Sequence, residues 1–140
     1  MVSNAIFLPV LSLMAITGLV WLYMYALRLP YLHALKIDLQ TVDTAEKMMN
    51  AMNDRVNYPA HNLNNLTELP VLFYVTCVVA YLSQTVDQSI LVGAWLYVVF
   101  RAVHSTIHCT YNNVKQRFTA YILSCITLWF LVGKMLLNMI

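Results

Sequence analysis

Four long apolar runs alternate with polar connections along the 140-residue chain. The runs cover residues 5–27, 63–82, 90–107 and 118–140. An α-helix rises 1.5 Å per residue, so about 20 apolar residues cross the ~30 Å hydrocarbon core of a bilayer. The pattern therefore predicts an all-α integral membrane protein, with four transmembrane helices forming one domain over residues 1–140.

The connections between the runs differ in length. The first, from Arg28 to His61, is long and polar, and it contains the segment TAEKMMNAM. That segment is rich in good helix formers and predicts a short helix capped by Asp43 or Thr44. The other two connections, residues 83–89 and 110–116, are short and therefore make consecutive spans antiparallel. The expected architecture is an up-down-up-down four-helix bundle.

Basic residues are distributed unevenly among these connections, and this predicts the orientation in the membrane. The first connection carries four Lys or Arg residues, the third carries Lys115 with Arg117 at its edge, and the second carries none. Cytoplasmic connections are enriched in Lys and Arg. We therefore expect connections one and three in the cytoplasm and both termini on the opposite side, with Lys134 snorkelling outward from the last turns.

The composition agrees with a membrane protein and excludes two other classes. Hydrophobic residues make up 61% of the chain, charged residues 10%, and the mean hydropathy is +0.66. Soluble domains are about 25% charged, so this chain lacks the polar surface of a water-soluble globule. A net charge of +2 with no basic run argues against a nucleic-acid partner. The three cysteines form no CxxC pattern and are expected in the core.

Several ionisable residues lie inside the predicted spans, where each costs about 2.5–3.5 kcal/mol at a helix centre. Arg101, His104 and His108 fall within about 60° of one another on the third helix. Glu68 lies in the first half of the second span, and its level matches that of Arg101 if the two spans are antiparallel. One interpretation is a structural ion pair between Glu68 and Arg101 or His104.

The other interpretation is a polar pocket for an anionic ligand. Arg117 and Tyr121 begin the fourth span at the same level, and Asn64 and Asn65 precede Glu68 by about one turn. These are more polar groups than one ion pair requires, which favours the pocket. His104 and His108 also have the i, i+4 spacing of a zinc site, but the chain has no HExxH motif and an arginine nearby disfavours a cation, so no metal is expected.

Two segments resemble a known family. The segment RAVHSTIHCTYNNVKQRFTAY, from Arg101 to Tyr121, is similar to the signature of the MAPEG family, the membrane-associated proteins in eicosanoid and glutathione metabolism. The segment NNLTELPVLFY, from Asn64 to Tyr74, is similar to the family's second-span motif, in which an Asn precedes a Glu by three residues. The four spans and the long first connection match as well.

The resemblance implies a homotrimer with each active site between neighbouring subunits, and glutathione bound near the cytoplasmic ends of the spans. It implies a catalytic role for Arg117 in activating the glutathione thiol. It also implies that the residues matching the family's glutathione contacts, or standing near them, are Arg28, His61, Asn65, Glu68, Arg101, His104, His108 and Tyr121. Arg28 matches at the end of the first span, where the alignment is loose.

Three positions depart from the eicosanoid enzymes of the family. His61 stands where those enzymes have an arginine, His108 where the family has a tyrosine, and Phe118 where the prostaglandin synthase has a serine. These departures argue against an eicosanoid isomerase. The function expected from the resemblance is a glutathione-dependent transferase or peroxidase that acts on a lipophilic electrophile or a lipid hydroperoxide.

Two other functions stay open at the level of sequence. A non-catalytic protein of the same fold would bind membrane lipid, as the lipoxygenase-activating member of the family does, and His61 and Phe118 favour this alternative. A small structural subunit of a larger membrane complex would use the polar cluster for assembly alone. The partners expected for the first function are further copies of the chain, membrane lipids and a lipophilic small molecule.

Overall fold

The structure, a computed structural model, describes residues 2–139 and is all-helical over that range. A 3₁₀ turn at Leu39–Val42 lies in the first connection. The seven helices in chain order are α1 Val2–Ala5, α2 Phe7–Ala34, α3 Ala45–Asn50, α4 Asp54–Thr67, α5 Leu69–Leu82, α6 Gln88–Cys109 and α7 Val114–Met139. The helices α2, α6 and α7 and the stretch Asp54–Leu82 are each long and apolar enough to cross a membrane. The predicted multi-pass, four-span helical fold is confirmed.

Helix α6 is the centre of the bundle. It packs most extensively against α7, and it also contacts α2 and α4. Buried side chains recur along it at spacings of three and four residues, which is the period of one helix face: Ile90, Ala94, Tyr97, Arg101, His104 and His108. This stripe is apolar up to Tyr97 and ionisable from Arg101 onward. One face of one helix therefore supplies both the hydrophobic core and a polar region at the end near connections one and three.

Two spans extend well beyond their predicted bounds, whereas α6 and α7 extend theirs by at most four residues at either end. Helix α2 continues seven residues past position 27, through Pro30, because Leu32 packs against Met52 and Val56 in a small second core. Helix α4 begins at Asp54, nine residues before the predicted start, where the Asn53 side chain accepts the Val56 N–H at 3.0 Å. Arg28 marks the start of the α2 extension and the α4 extension is polar in sequence, so hydropathy alone did not predict them. Residue 140, the predicted end of the last span, lies outside the described range.

The second span is interrupted at Glu68, whose φ of −89° and ψ of −98° are not helical. Pro70 explains the break, because it has no N–H to donate to the Leu66 carbonyl and its ring disfavours helical geometry at Leu69. Helix α5 then starts afresh at Leu69. In an uninterrupted helix the Asn65 carbonyl would accept the Leu69 N–H. Here it accepts Nη2 of Arg101 from α6, so a neighbouring helix satisfies a backbone group that the break frees.

The short helix predicted in the first connection is present as α3. Thr44, one of the two proposed caps, accepts the Lys47 N–H with its side chain at 3.2 Å. Asp43, the other candidate, instead forms an exposed ion pair with Lys47 at 2.7 Å. Both candidates therefore support the start of the helix, one through the backbone and one through charge.

Lys134 forms an ion pair where snorkelling was expected. Its Nζ lies 2.7 Å from Asp87 Oδ2, and this contact joins the C-terminal part of α7 to the start of α6. Asp87 also caps α6, because its Oδ1 accepts the Ile90 N–H at 2.8 Å. The hydrogen bond from Lys134, followed by the one from Ile90, lowers the pKa of the Asp87 carboxyl below its usual value.

The substitution Asp87→Asn separates the charge of this carboxyl from its capping role, because asparagine also caps helices. We expect the free energy of unfolding to fall by about 0.5–1 kcal/mol, the range of a partly exposed ion pair. The lowered pKa makes the contribution complete above the usual Asp pKa of about 3.9 and removes it as the pH falls through the folded-state value. Unfolding in detergent at pH 7 and at pH 3 measures this. Lys134→Met should lose the same amount and the double variant no more; additive losses would show that the pair is not coupled.

Candidate functional site

A cavity of about 590 Å³ lies at the end of the bundle where connections one and three meet. Helix α4 forms one wall with Asp54, Tyr58, His61 and Asn65, at spacings of four, three and four residues. These spacings place the four side chains on one face of the helix. The break at Glu68 ends this face just beyond Asn65. The row of polar side chains on α4 therefore runs from the start of the helix at Asp54 to Asn65, just before the break that Pro70 causes.

The opposite wall comes from the end of α6 and the start of α7. His108, Asn112 and Arg117 line it, and the short connection between the two helices brings them together. A second cavity of about 210 Å³ adjoins the first, since both are lined by Asn65, His108 and Arg117. The second cavity adds His104, Tyr121 and the exposed ring of Phe118. Together the two form one cleft that is polar toward the mouth and more apolar toward Phe118.

Arg101 lies behind this cleft and is completely buried. Its Nη2 donates to the Asn65 carbonyl, and its guanidinium carbon lies 5.6 Å from the centre of the Tyr121 ring. Its Nε and Nη1 are buried without a hydrogen-bond partner in the protein. The Arg101 guanidinium therefore lies between a carbonyl and an aromatic face, and both of these neighbours belong to residues that line the cleft.

His104 is held in one orientation by the backbone of α7. Its Nδ1 lies 2.9 Å from the Arg117 carbonyl, which can only accept, so Nδ1 carries the hydrogen and donates. A neutral His104 therefore presents Nε2 as an acceptor, and that atom is buried without a protein partner. The His104 and His108 rings are 5.5 Å apart and nearly perpendicular. His104 thus links the central helix α6 to Arg117 in α7.

Arg117 is fixed by a second contact. Its Nη1 donates to Asn112 Oδ1 at 2.5 Å. Asn112 has a φ of +49°, in the left-handed region that asparagine tolerates better than most residues, and its own N–H donates to the Ile107 carbonyl at 2.8 Å. The end of α6 is therefore built so that an asparagine side chain meets the guanidinium of Arg117.

We expect Asn112→Gly to lower activity or ligand affinity about tenfold, because it removes one hydrogen bond to a charged group while glycine retains the left-handed backbone. Asn113→Ala is the matched control. Asn113 caps α7 by accepting the Gln116 N–H at 3.1 Å, so its loss should reduce stability by about 1 kcal/mol and leave affinity unchanged. Ligand titration and thermal unfolding of both variants separate the two effects. Equal affinities for both variants would contradict this role of Asn112.

Six of the nine residues predicted for the site line the cleft: His61, Asn65, His104, His108, Arg117 and Tyr121. Arg101 contacts two of them from behind. Arg28 and Glu68 line neither cavity. Arg28 lies on α2 with its Nε buried and without a hydrogen-bond partner, and Glu68 is exposed at the helix break.

The ion pair considered between Glu68 and Arg101 or His104 is not formed. Within residues 2–139, the two ion pairs are Lys47–Asp43 and Lys134–Asp87. The prediction matched only the membrane levels of the two residues, whereas the break at Glu68 leaves this side chain exposed and outside both cavities. Arg101 donates a hydrogen bond to the Asn65 carbonyl and not to the Glu68 carboxylate.

The sequence analysis did not identify Asp54, Tyr58 and Asn112 as site residues. Asp54 and Tyr58 were placed in a loop, because the polar segment before position 63 hid the start of α4. The signal that could have found them is Asn53, an asparagine cap one residue before the 54, 58, 61, 65 spacing. Asn112 gave no comparable signal, since its role depends on its left-handed backbone.

A buried polar cluster holds α4 against α6 beside the cleft. Asn62 is completely buried; its Nδ2 lies 3.4 Å from Cys109 Sγ, and its Oδ1 accepts from Ser105 Oγ at 3.3 Å. Asn62 sits between His61 and Asn65 on α4, so these hydrogen bonds fix the height of the α4 wall relative to α6. Such contacts between spans contribute about 0.6 kcal/mol each on average.

The fold and the cleft define a membrane protein with four spans and a polar site at one end of its bundle. The chain matches the MAPEG family over residues 6–137, nearly its whole length, and therefore belongs to that family. The family includes glutathione transferases and peroxidases as well as accessory proteins. The chain matches no curated protein and no solved structure in the other two comparisons.

Proposed function

We propose that this protein is a glutathione-dependent transferase or peroxidase that acts on a lipophilic electrophile or a lipid hydroperoxide. The observation that carries the proposal is Arg117, a half-buried cation fixed by Asn112 in a cleft that also contains His104 and His108. Family membership supports it independently. We also propose that this end of the bundle faces the cytoplasm, where the thiol is available, because connections one and three carry the basic residues.

The chemical groups in the cleft suit glutathione, which has two carboxylates, one ammonium group and one thiol. Arg117 and His61 offer positive or hydrogen-bonding groups to carboxylates, and the Asn65 side chain offers an amide. Arg101 retains two buried N–H donors without protein partners behind the same wall. An excess of donors over acceptors fits an anionic ligand, because buried donors otherwise lose hydrogen bonds.

The chemistry requires a thiolate. A free thiol has a pKa of about 8.5, so at neutral pH a nearby cation is needed to populate the nucleophile. Arg117 stays charged in any environment and supplies that field. In a transferase reaction the sulfur forms a bond to the electrophilic carbon and a leaving group such as halide departs. In a peroxidase reaction two thiols become a disulfide while the hydroperoxide becomes an alcohol and water.

We further propose a homotrimer in which neighbouring chains complete each site. Large apolar side chains remain exposed along the spans, for example Leu19, Leu96 and Trp129, so these surfaces face lipid or another copy. In such an assembly Arg28 and Glu68 of an adjacent chain would reach the cleft that they do not reach within one chain. The lipophilic cosubstrate would enter from the bilayer near Phe118. The mass of the protein in detergent, measured by light scattering with correction for detergent, tests the trimer.

Calorimetric titration of the purified protein with glutathione, followed by conjugation to an aryl halide and reduction of a lipid hydroperoxide, tests the function. We expect saturable binding and at least one thiol-dependent activity. A protein that neither binds glutathione nor consumes it with any of these substrates would contradict the proposal.

A non-catalytic lipid-binding protein is the second candidate, and Phe118 is the observation that favours it. Its ring is 60% exposed, yet it lines the smaller cavity. An aromatic ring at this position extends the apolar side of the cleft toward the membrane. Lipid that copurifies in stoichiometric amounts, together with no thiol turnover, would support this candidate over the enzyme.

A further inference from the structure

We propose that the end of α2 is a binding site for an anionic phospholipid, whose phosphate contacts Lys36 and His33 while an acyl chain lies on the leucines beside them. The site is a cavity of about 490 Å³ that is lined by Leu29, Leu32, His33, Lys36, Ile37 and Leu39. None of these residues lines either cavity of the cleft. The inference goes beyond the proposed function and does not depend on glutathione.

The first observation is the length of α2. Its 28 residues rise about 42 Å, whereas the hydrocarbon core of a bilayer is ~30 Å thick and the bilayer with its headgroups about 40–45 Å. The apolar run that fills the hydrocarbon core ends at position 27, and the cavity begins at Leu29. The cavity therefore lies at the level of the lipid headgroups, where the phosphate and the first part of each acyl chain are within reach.

The second observation is that apolar side chains stay uncovered at this level. Leu29 and Leu39 are each 61% exposed, although both line the cavity. Leu32, which lines it as well, is buried because it packs against Met52 and Val56 in the small second core. Concave surfaces with apolar lining and a few polar groups are typical of ligand sites. These leucines therefore offer a surface for one acyl chain.

The third observation is that both polar side chains of the cavity suit a phosphate. Lys36 is a cation that takes part in neither of the ion pairs within residues 2–139, and the His33 ring has an N–H to donate. Asp38, the nearest acid in sequence, does not line the cavity, and its Oδ1 accepts the Gln40 N–H at 3.0 Å. A lining with a cation, exposed leucines and no carboxylate is complementary to an anionic amphiphile.

The backbone at Lys36 gives a fourth observation. Its φ of +50° lies in the left-handed region, and α2 ends in a Schellman motif. In this motif the Lys36 N–H donates to the His33 carbonyl at 3.2 Å and the Ile37 N–H donates to the Leu32 carbonyl at 3.1 Å. Glycine adopts this conformation without strain and is the usual residue at the position of Lys36. Ending the helix therefore does not explain a lysine here, whereas a role of its side chain in the cavity does.

The experiment measures the lipid that the full-length protein retains, by native mass spectrometry from detergent micelles. Dioleoyl phosphatidylglycerol is the anionic probe, and dioleoyl phosphatidylcholine, which has no net charge, is the reference. We expect the wild type to retain phosphatidylglycerol preferentially. Lys36→Gln should reduce this preference about fivefold, the equivalent of about 1 kcal/mol for one basic residue at an anionic lipid surface, and Lys36→Arg should keep it. Inorganic phosphate should not displace the lipid, because it has no acyl chain.

Two further variants separate lipid recognition from folding and from general surface charge. Lys47→Gln removes the same charge from the same connection, but Lys47 pairs with Asp43 and does not line this cavity. It should leave the lipid preference unchanged. Lys36→Gly should lose the preference as Lys36→Gln does, while its unfolding temperature stays the same or rises, because glycine relieves the left-handed backbone. Thermal unfolding in detergent measures this second effect.

Three results would overturn the lipid site. Equal losses of preference in Lys36→Gln and Lys47→Gln, or no loss in either, would show at most a general attraction of a basic connection for anionic lipid. Displacement of the lipid by inorganic phosphate would show an anion site that does not use the leucines. A Lys36→Gln variant with a changed oligomer mass and the wild-type lipid preference would show that a second copy covers the cavity. Glutathione is absent throughout, so a failure of the proposed function leaves this test unaffected.

Discussion

Replacing Arg117 by alanine is expected to lower the rate of glutathione conjugation at pH 7 by at least about 100-fold, the loss typical of removing one fixed group that stabilises developing negative charge. The guanidinium is the cation that lines both cavities of the cleft, and Asn112 holds it in place. Without it, the bound thiol should ionise only near its usual pKa of about 8.5. The conjugation rate measured from pH 6 to 9 tests this directly.

The pH dependence separates electrostatic activation from simple loss of binding. A cation stabilises the thiolate and lowers the thiol pKa, so removing it raises that pKa. The variant's rate should therefore climb about tenfold per pH unit below pH 8.5, while the wild-type rate changes less over the same range. Arg117→Lys should be intermediate, because lysine keeps the charge but not the planar fork of donors.

Lys115→Ala provides the control for Arg117. Lys115 is exposed, lies two residues earlier and lines neither cavity, so the same loss of charge should leave the rate unchanged. An Arg117→Ala variant with the wild-type rate and pH profile would show that another group activates the thiol. His104 is the next candidate, since its Nε2 is an unpartnered acceptor in the same cleft.

The features predicted correctly from sequence are those that depend on helical period and hydropathy. Four apolar runs gave the four spans, and the spacing of Arg101, His104 and His108 placed them on one face, which the structure buries. No knowledge of the neighbouring helices was needed for either result. Local pattern is sufficient wherever a helix continues without interruption.

The features that were wrong or missed depend on where helices start and stop. An ion pair between Glu68 and Arg101 or His104 was one of two interpretations, and it is not formed because the helix breaks at Glu68, just before Pro70. Asp54 was placed in a loop because α4 is held by packing and by an asparagine cap and not by apolar content. Asp54 and Tyr58 share the uninterrupted helix α4 with Asn65, so their spacing could have placed them once the Asn53 cap was recognised.

Arg101→Met is expected to leave the stability of the ligand-free protein within about 1 kcal/mol of the wild type. Removing a charge from a membrane span recovers about 2.5–3.5 kcal/mol on insertion scales. Against this, the Asn65 carbonyl loses the donor that now satisfies it, which costs about 1–3 kcal/mol. The two free energies are opposite in sign and similar in size, so they nearly cancel. Methionine fills a volume similar to that of the arginine stem, so no large cavity adds a further cost. Thermal unfolding in detergent without ligand measures the sum.

The same substitution should abolish most of the stabilisation that we expect glutathione to give to the wild type. A ligand stabilises the folded state according to its concentration relative to its dissociation constant, about 2.7 kcal/mol at a hundredfold excess. Arg101 supports the Asn65 wall and retains two unpartnered donors, so its loss should weaken binding far more than folding. Tyr97→Phe, one turn away on the same buried stripe, removes an unpartnered hydroxyl without touching the cleft and should keep the full ligand effect. Strong destabilisation of ligand-free Arg101→Met, with the ligand effect intact, would instead show that this cation serves only to hold the helices together.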